Sequence, residues 1–202
     1  MHIFTNNSRP PRTLTAAEQR QLLEVTAPHA SFRDHVLYAM ALGTGLREHE
    51  LVALNVGDIY GPNGQARLWV TLRVFKRCRC DRRDQEILLS DALREKLQRY
   101  HQWKQYEGQG TAPGDPLFAS RLGRRLSLRQ VRHGFRVWQE RAGFERRLGF
   151  HSLRHSACTH LYRATKDIRL TQRFARHASI SSTQVYTHSS DDELLAAVQL
   201  LT

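Results

Sequence analysis

Six residues in this chain have the types and spacing to work on a phosphodiester: Arg47, Lys76, His151, Arg154, His177 and Tyr186. Tyr186, in Thr-Gln-Val-Tyr-Thr-His, offers a phenol that can attack phosphorus and conserve the bond energy in a covalent link. That step needs positive donors for the charge growing on the non-bridging oxygens, a base for a phenol whose ordinary pKa is about 10, and an acid for the departing sugar oxygen. Arg47 and Arg154 suit the first role, His151 the second and Lys76 the third. His177, nine residues before Tyr186, can add a hydrogen bond to the phosphate. His151 and Arg154 stand three apart, so on a helix they share a face. A guanidinium fork beside an imidazole is a natural phosphate holder.

Each residue has a competing reading. His151, His155, Cys158 and His160 crowd one predicted helix, and a His-x-x-x-His spacing can ligate zinc. The glutamate of the protease motif is missing, and Cys78 and Cys80 lie far off in sequence, so zinc is the weaker reading. No cluster of carboxylates suggests another metal, and the proposed chemistry needs neither metal nor cofactor. Tyr162 and Tyr186 can both be core tyrosines; the company of Tyr186 is what singles it out.

Composition points to a polyanionic partner. The formal net charge of +12 on 202 residues favours nucleic acid over a neutral or acidic ligand, against the plainer reading of a soluble basic protein. Lys76, Lys96, Lys104 and Lys166 are the only lysines, and the rest of the basic set is arginine, the better bidentate binder of phosphate oxygens. No apolar run approaches a membrane span, and the first residues, MHIFTNNSRPPRTLT, lack the apolar core of a secretory signal. Cys78, Cys80 and Cys158 make no disulfide framework, which fits a reducing, cytosolic compartment.

The elements that must position these residues are mostly helical. Residues 1–13 read as a flexible arm or linker remnant. Thr15 and Glu18 form a capping box for a helix running to about Ala27 that buries Leu22, Leu23 and Val25. Ser31 is expected to cap a second helix with Val36, Leu37, Met40 and Ala41 on its apolar side. Gly43-Thr44-Gly45 should break it, leaving Arg47 at the start of the next helix, where backbone donors and dipole favour an anion. The alternative for Arg47 is a solvated side chain paired with Glu50, one turn on.

From Ala66 the period changes to two. Ala66, Leu68, Val70, Leu72 and Val74 alternate with polar or exposed positions, and Gln85–Leu89 returns as a second strand. The result is a small antiparallel sheet with a basic tip at residues 76–84. Ser90 caps a helix to about Tyr106 carrying Leu93, Leu97 and Tyr100. Ser127 caps another to about Ala142 carrying Leu128, Val131, Phe135 and Trp138, ended by Gly143. A last helix from Asp191 has Leu194, Leu195, Val198 and Leu201 on one face.

Three blocks carry a family resemblance. Ala41–Ile59 (ALGTGLREHELVALNVGDI), Gly149–Leu161 (GFHSLRHSACTHL) and Ala175–His188 (ARHASISSTQVYTH) resemble, in order and spacing, the catalytic domain of the tyrosine recombinases, or phage integrase family. The resemblance covers roughly residues 13–190 and assigns Arg47, His151, Arg154, His177 and Tyr186 to the family's catalytic positions. The family's catalytic lysine lies in a β-hairpin between the first two blocks, and Lys76 is the only lysine in the hairpin expected here.

The resemblance implies an α+β domain, mainly helical with a small antiparallel sheet, spanning residues 14–190. It implies a 3′-phosphotyrosyl link at Tyr186, reversed by a second strand's 5′-hydroxyl without ATP or metal. It also implies double-stranded DNA with specific sites, a homotetramer on that DNA, an accessory DNA-bending or directionality factor, and a bacterial or phage-encoded protein. The segment 191–202 is expected to be a C-terminal helix that packs on a neighbouring subunit or on its own core. Other readings are a non-cutting DNA-binding regulator and a type IB topoisomerase-like relaxing enzyme. Two departures stand out: Arg176 occupies a position that is usually glycine, and Phe75 and Arg77 flank Lys76 in place of glycines. Little chain before residue 13 is left for a separate N-terminal DNA-binding domain, which suits either a catalytic fragment or a short single-domain member.

Overall fold

The computed structural model describes residues 11–72, 85–187 and 198–199. Lys76, Cys78, Cys80, the basic tip at 76–84 and most of the predicted 191–201 helix lie outside the described residues.

Chain order gives α1 (Ala16–Thr26), a 3₁₀ turn (His29–Ser31), α2 (Phe32–Thr44), α3 (Glu48–Ala53), α4 (Val56–Ile59), β1 (Trp69–Leu72), β2 (Gln85–Leu88), α5 (Asp91–Tyr106), α6 (Leu128–Arg141), α7 (His151–Thr165), α8 (Ile168–Ala175) and α9 (Ser181–Gln184). β1 and β2 pair antiparallel, with Val70 opposite Ile87 and Trp69 opposite Leu88. The mainly helical fold with a small antiparallel sheet is the one expected. Among the described residues, no helix is long and apolar enough to cross a membrane.

α2 is the central element and packs against α1, α5 and α7. His35 through Ala41 are buried without a break, so this helix hides its whole circumference. The sequence reading gave it one apolar side. A helix surrounded by neighbours shows little amphipathic contrast, so its central position is hard to read from periodicity. At its end, Gly45 adopts the left-handed conformation (φ 60°), and its N–H donates to the Ala41 carbonyl at 3.1 Å. A Cβ at Gly45 would come within 2.8 Å of Phe174 Cε1. The helix therefore runs through Gly43 and Thr44, and Gly45 alone ends it.

Several local expectations change. Ser31 does not cap α2; its hydroxyl donates back to the carbonyls of Thr26 (3.0 Å) and Pro28 (3.1 Å), closing the turn before it. In α1, Leu22 and Thr26 are buried, while Leu23 and Val25 are only partly covered. Thr26 escapes a polarity-based reading because its hydroxyl is satisfied by the Leu22 carbonyl at 2.7 Å. The strand begins at Trp69; Ala66 makes an isolated bridge with Tyr60, and Leu68, before the pleat starts, is exposed. α5 and α6 follow the expected spans, capped by Ser90 and Ser127.

The main core runs from Leu14 to Leu153. Outside it, Cys158, Ala175 and Tyr186 form a separate small cluster with Tyr162, Phe174 and Val185, where α7, α8 and α9 meet. The start of the chain is tied to α7: the Leu14 N–H donates to Ser156 Oγ at 2.7 Å. Arg146 holds the Thr13 carbonyl and Glu18 beside it.

Gly45→Ala is expected to destabilise the chain by about 2 kcal/mol, since a left-handed L-residue must also displace Phe174. Thermal unfolding should show this as a fall in Tm of roughly 4–8 °C. An unchanged Tm would mean that the turn before Arg47 tolerates a side chain.

Candidate active site

α7 carries two of the six residues. His151 is its first residue and is accessible to solvent; Arg154, one turn in, is 2% exposed. The Arg154 guanidinium does not lie on a surface. One amino group donates to the Gly45 carbonyl and the other to the Ala175 carbonyl. It thus joins the turn before α3 to the turn after α8. Burial, and then the nearby Arg47 charge, lower its pKa to about 10, so it remains cationic at neutral pH.

Arg47 stands at the N-terminus of α3, where a cation opposes the helix dipole. Glu50 supplies the compensation: its Oε2 accepts the Arg47 backbone N–H at 2.7 Å and its Oε1 accepts the Arg47 guanidinium at 2.8 Å. The Glu50 pairing of the alternative reading is therefore present, but the Arg47 side chain is partly covered and the carboxylate is buried. Arg176 donates to the same Glu50 Oε2 at 2.9 Å. Glu50 is shared by two guanidiniums.

Tyr186 follows α9 and is 5% exposed. Its phenol is 3.0 Å from His155 Nδ1, and Cys158 packs in the same small cluster. The His177 ring lies nearly parallel to it, with centroids 6.2 Å apart, and His177 Nδ1 pairs with Thr183 Oγ1 at 3.0 Å. Burial, and then Cys158, push the phenol well above its ordinary pKa, while Arg154 and Arg47 pull it the other way. Burial and the neighbouring charges of His151 and Arg154 hold His155 at about 4. Burial with Arg154, Arg47 and Arg176 holds His177 at about 4. Both imidazoles are therefore neutral at pH 7. His151 is also lowered, by burial and then by Arg154 and Arg47.

The structure thus gathers Arg47, His151, Arg154, His177 and Tyr186 into one electrostatic neighbourhood. Lys76 lies outside the described residues. Two participants were not proposed from sequence. His155, rather than His151, touches the phenol; the His151 ring packs edge-to-face on His155, with centroids 4.6 Å apart. The His155–Tyr186 contact spans 31 positions, and only the meeting of α7 with the α9 turn creates it. Arg176, the departure from the family's usual glycine, turns its side chain inward to Glu50. For zinc, His155 is engaged with Tyr186, and among the described residues no group of three His, Cys, Asp or Glu side chains is placed to hold a metal ion.

The profile of the phage integrase family matches residues 12–193. The tyrosine recombinase XerC of Vibrio parahaemolyticus is 32% identical over 189 residues, covering 93% of this chain and 57% of the relative. The chain belongs to the phage integrase family. It spans a little over half the length of that relative. Among solved structures, XerA recombinase superposes with a TM-score of 0.76 at 24% identity, covering 96% of this chain and 66% of that one. XerH site-specific recombinase bound to difH substrate gives 0.73 at 22%, covering 100% and 58%. These two share the fold.

NMR titration of the histidine rings is expected to show His155 and His177 neutral down to about pH 5, each titrating near 4. The sign for stability follows. Below the unfolded imidazole value of about 6.5, the unfolded chain takes up protons that these folded rings refuse, so their contribution should decline between about pH 6.5 and 4. Rings that titrate near 6.5 in the folded protein would show that neither site is closed to water.

Proposed function

We propose that this chain is a site-specific DNA recombinase that cleaves and rejoins strands through a 3′-phosphotyrosyl intermediate on Tyr186. The observation that carries this reading is a single phenol lodged where the charges of Arg154 and Arg47 both reach it, with Arg154 itself fixed by two carbonyls.

In this reading the scissile phosphate sits against Arg47 and Arg154, which stabilise the charge on its non-bridging oxygens as phosphorus passes through five-coordination. Tyr186 Oη forms the new bond to phosphorus as the bond to the 5′-oxygen breaks. The phenol gives up its proton to a neutral imidazole, His151 or its neighbour His155. Lys76 protonates the departing 5′-oxygen, and His177 hydrogen-bonds the phosphate. A 5′-hydroxyl from a second strand then runs the step backwards, so no ATP is consumed. The hydrogen bond between Tyr186 and His155 describes a resting phenol, which DNA binding must release towards the phosphate.

The partner is double-stranded DNA with specific sites, engaged by a homotetramer with an accessory DNA-bending or directionality factor, in a bacterial cytoplasm. The excess of arginine supports the DNA partner. A catalytic domain over 14–190, with a terminal segment at 191–202 that packs on a neighbouring copy, completes the proposal.

The test is covalent trapping on a nicked suicide duplex selected by binding from a randomised pool. Wild-type protein should form an adduct that Tyr186→Phe abolishes while still binding the duplex. Arg47→Ala, and Arg154→Lys, which keeps the charge but loses the fork, should each slow adduct formation by about 10²–10³. Lys76→Ala should be slow on an intact duplex and largely recover on one with a good leaving group at the 5′ position. An adduct formed by Tyr186→Phe would assign the nucleophile elsewhere, and relaxation of a plasmid lacking a second site would indicate topoisomerase-like action.

A further inference from the structure

Arg176 is the residue whose placement the proposed chemistry does not yet explain. It follows the last residue of α8 and adopts the left-handed conformation, φ 53° and ψ 49°, which L-residues other than glycine rarely hold. Its side chain is 5% exposed and that of Glu50 is 7% exposed. The guanidinium donates to Glu50 Oε2 at 2.9 Å and to the Phe174 carbonyl at 3.2 Å, and its Nε–H is buried without a hydrogen-bond partner. A strained backbone and an unmet donor are both unfavourable, so the contact with Glu50 must do something that glycine would not. The residue before it, Ala175, offers the carbonyl held by Arg154, and the residue after it is His177.

We propose that Arg176 is a positioning residue for Arg47: by sharing Glu50 it fixes the direction of the Arg47 guanidinium and leaves the trio net positive towards a bound phosphate. The charge count is simple. One carboxylate between two guanidiniums leaves one positive charge, whereas Arg47 with Glu50 alone would be neutral. The other charged or titratable groups facing Glu50 are Arg154 and His151 on α7. Burial pushes the Glu50 carboxyl up, but Arg176 and then Arg47 hold it below the usual carboxylate range, so it stays ionised in mildly acidic solution.

This inference rests on the recombinase reading, and the experiment separates the two. Adduct formation on the selected nicked duplex is followed from pH 5 to pH 9 for wild type, Arg176→Gly and Arg176→Lys. Glycine suits the left-handed turn, so Arg176→Gly should fold with an unchanged or higher Tm. Its limiting rate should nevertheless fall roughly ten- to a hundredfold while the duplex concentration at half-maximal rate changes little. The acid limb of its pH profile should move upward, and Arg176→Lys should recover part of the rate. In the absence of DNA, the ¹³C signal of the Glu50 carboxyl should titrate at higher pH in Arg176→Gly than in wild type. A wild-type chain that forms no adduct would overturn the recombinase reading, and the Glu50 titration would still test the contact. A glycine variant with wild-type rate, acid limb and Glu50 titration would overturn the role given to Arg176.

Discussion

A buried cation that donates to two backbone carbonyls holds this site together. Arg154 reaches the Gly45 carbonyl on one side and the Ala175 carbonyl on the other, spanning 109 and 21 residues of sequence. Both acceptors belong to turns that cannot be supported by regular secondary structure. Gly45 sits past the end of α2, and Ala175 ends α8. Without a partner, each buried carbonyl would carry a desolvation cost of about 1–3 kcal/mol. The same guanidinium that answers that cost supplies positive charge beside Tyr186. Two turns and the positive charge beside Tyr186 therefore depend on one residue.

The electrostatics around it follow one pattern. Positive charge is concentrated where water is scarce, and the buried neighbours His155, His177, Glu50 and Tyr186 respond. His155 and His177 give up their protons, and Glu50 keeps its charge because Arg47 and Arg176 surround it. Tyr186 is pulled in two directions, upward by burial and Cys158 and downward by Arg154 and Arg47. A phosphate placed there would meet cations already stripped of much of their hydration, so little reorganisation would be needed. The satellite cluster of Cys158, Ala175 and Tyr186 is small and separate from the main core. Tyr186 is thus packed in a cluster of its own, apart from the packing around α2.

Much of this was legible in the sequence where the signal is local. The Thr15–Glu18 capping box, the Ser90 and Ser127 caps and the spans of α5 and α6 depend on residues within a few positions of one another, and all are as read. Arg47 behind a glycine turn was readable for the same reason. What escaped was set by tertiary context. Ser31 had a better acceptor in the preceding turn than in its own helix, and Leu68 lay just before the pleat that would have buried it. In the site, residue types mark candidates but not directions. Nothing in the spacing of Arg154 shows that it points at two carbonyls. The Arg176–Glu50 pair joins residues 126 apart. His155 adjoins Arg154, yet its contact with Tyr186 appears only when α7 and the α9 turn are folded together.

The clamp at the start of the chain has a mechanical meaning. Leu14 is stitched by its amide to Ser156, and Arg146 grips Thr13 and Glu18 alongside. Ser156 lies two residues beyond Arg154 and one beyond His155 on the same helix. A tug on the backbone at Thr13 is therefore delivered not to the periphery but to the rod that carries the guanidinium and the imidazole. Ser156 and the two side chains just before it in sequence are thus anchored to the same short stretch of chain ahead of α1.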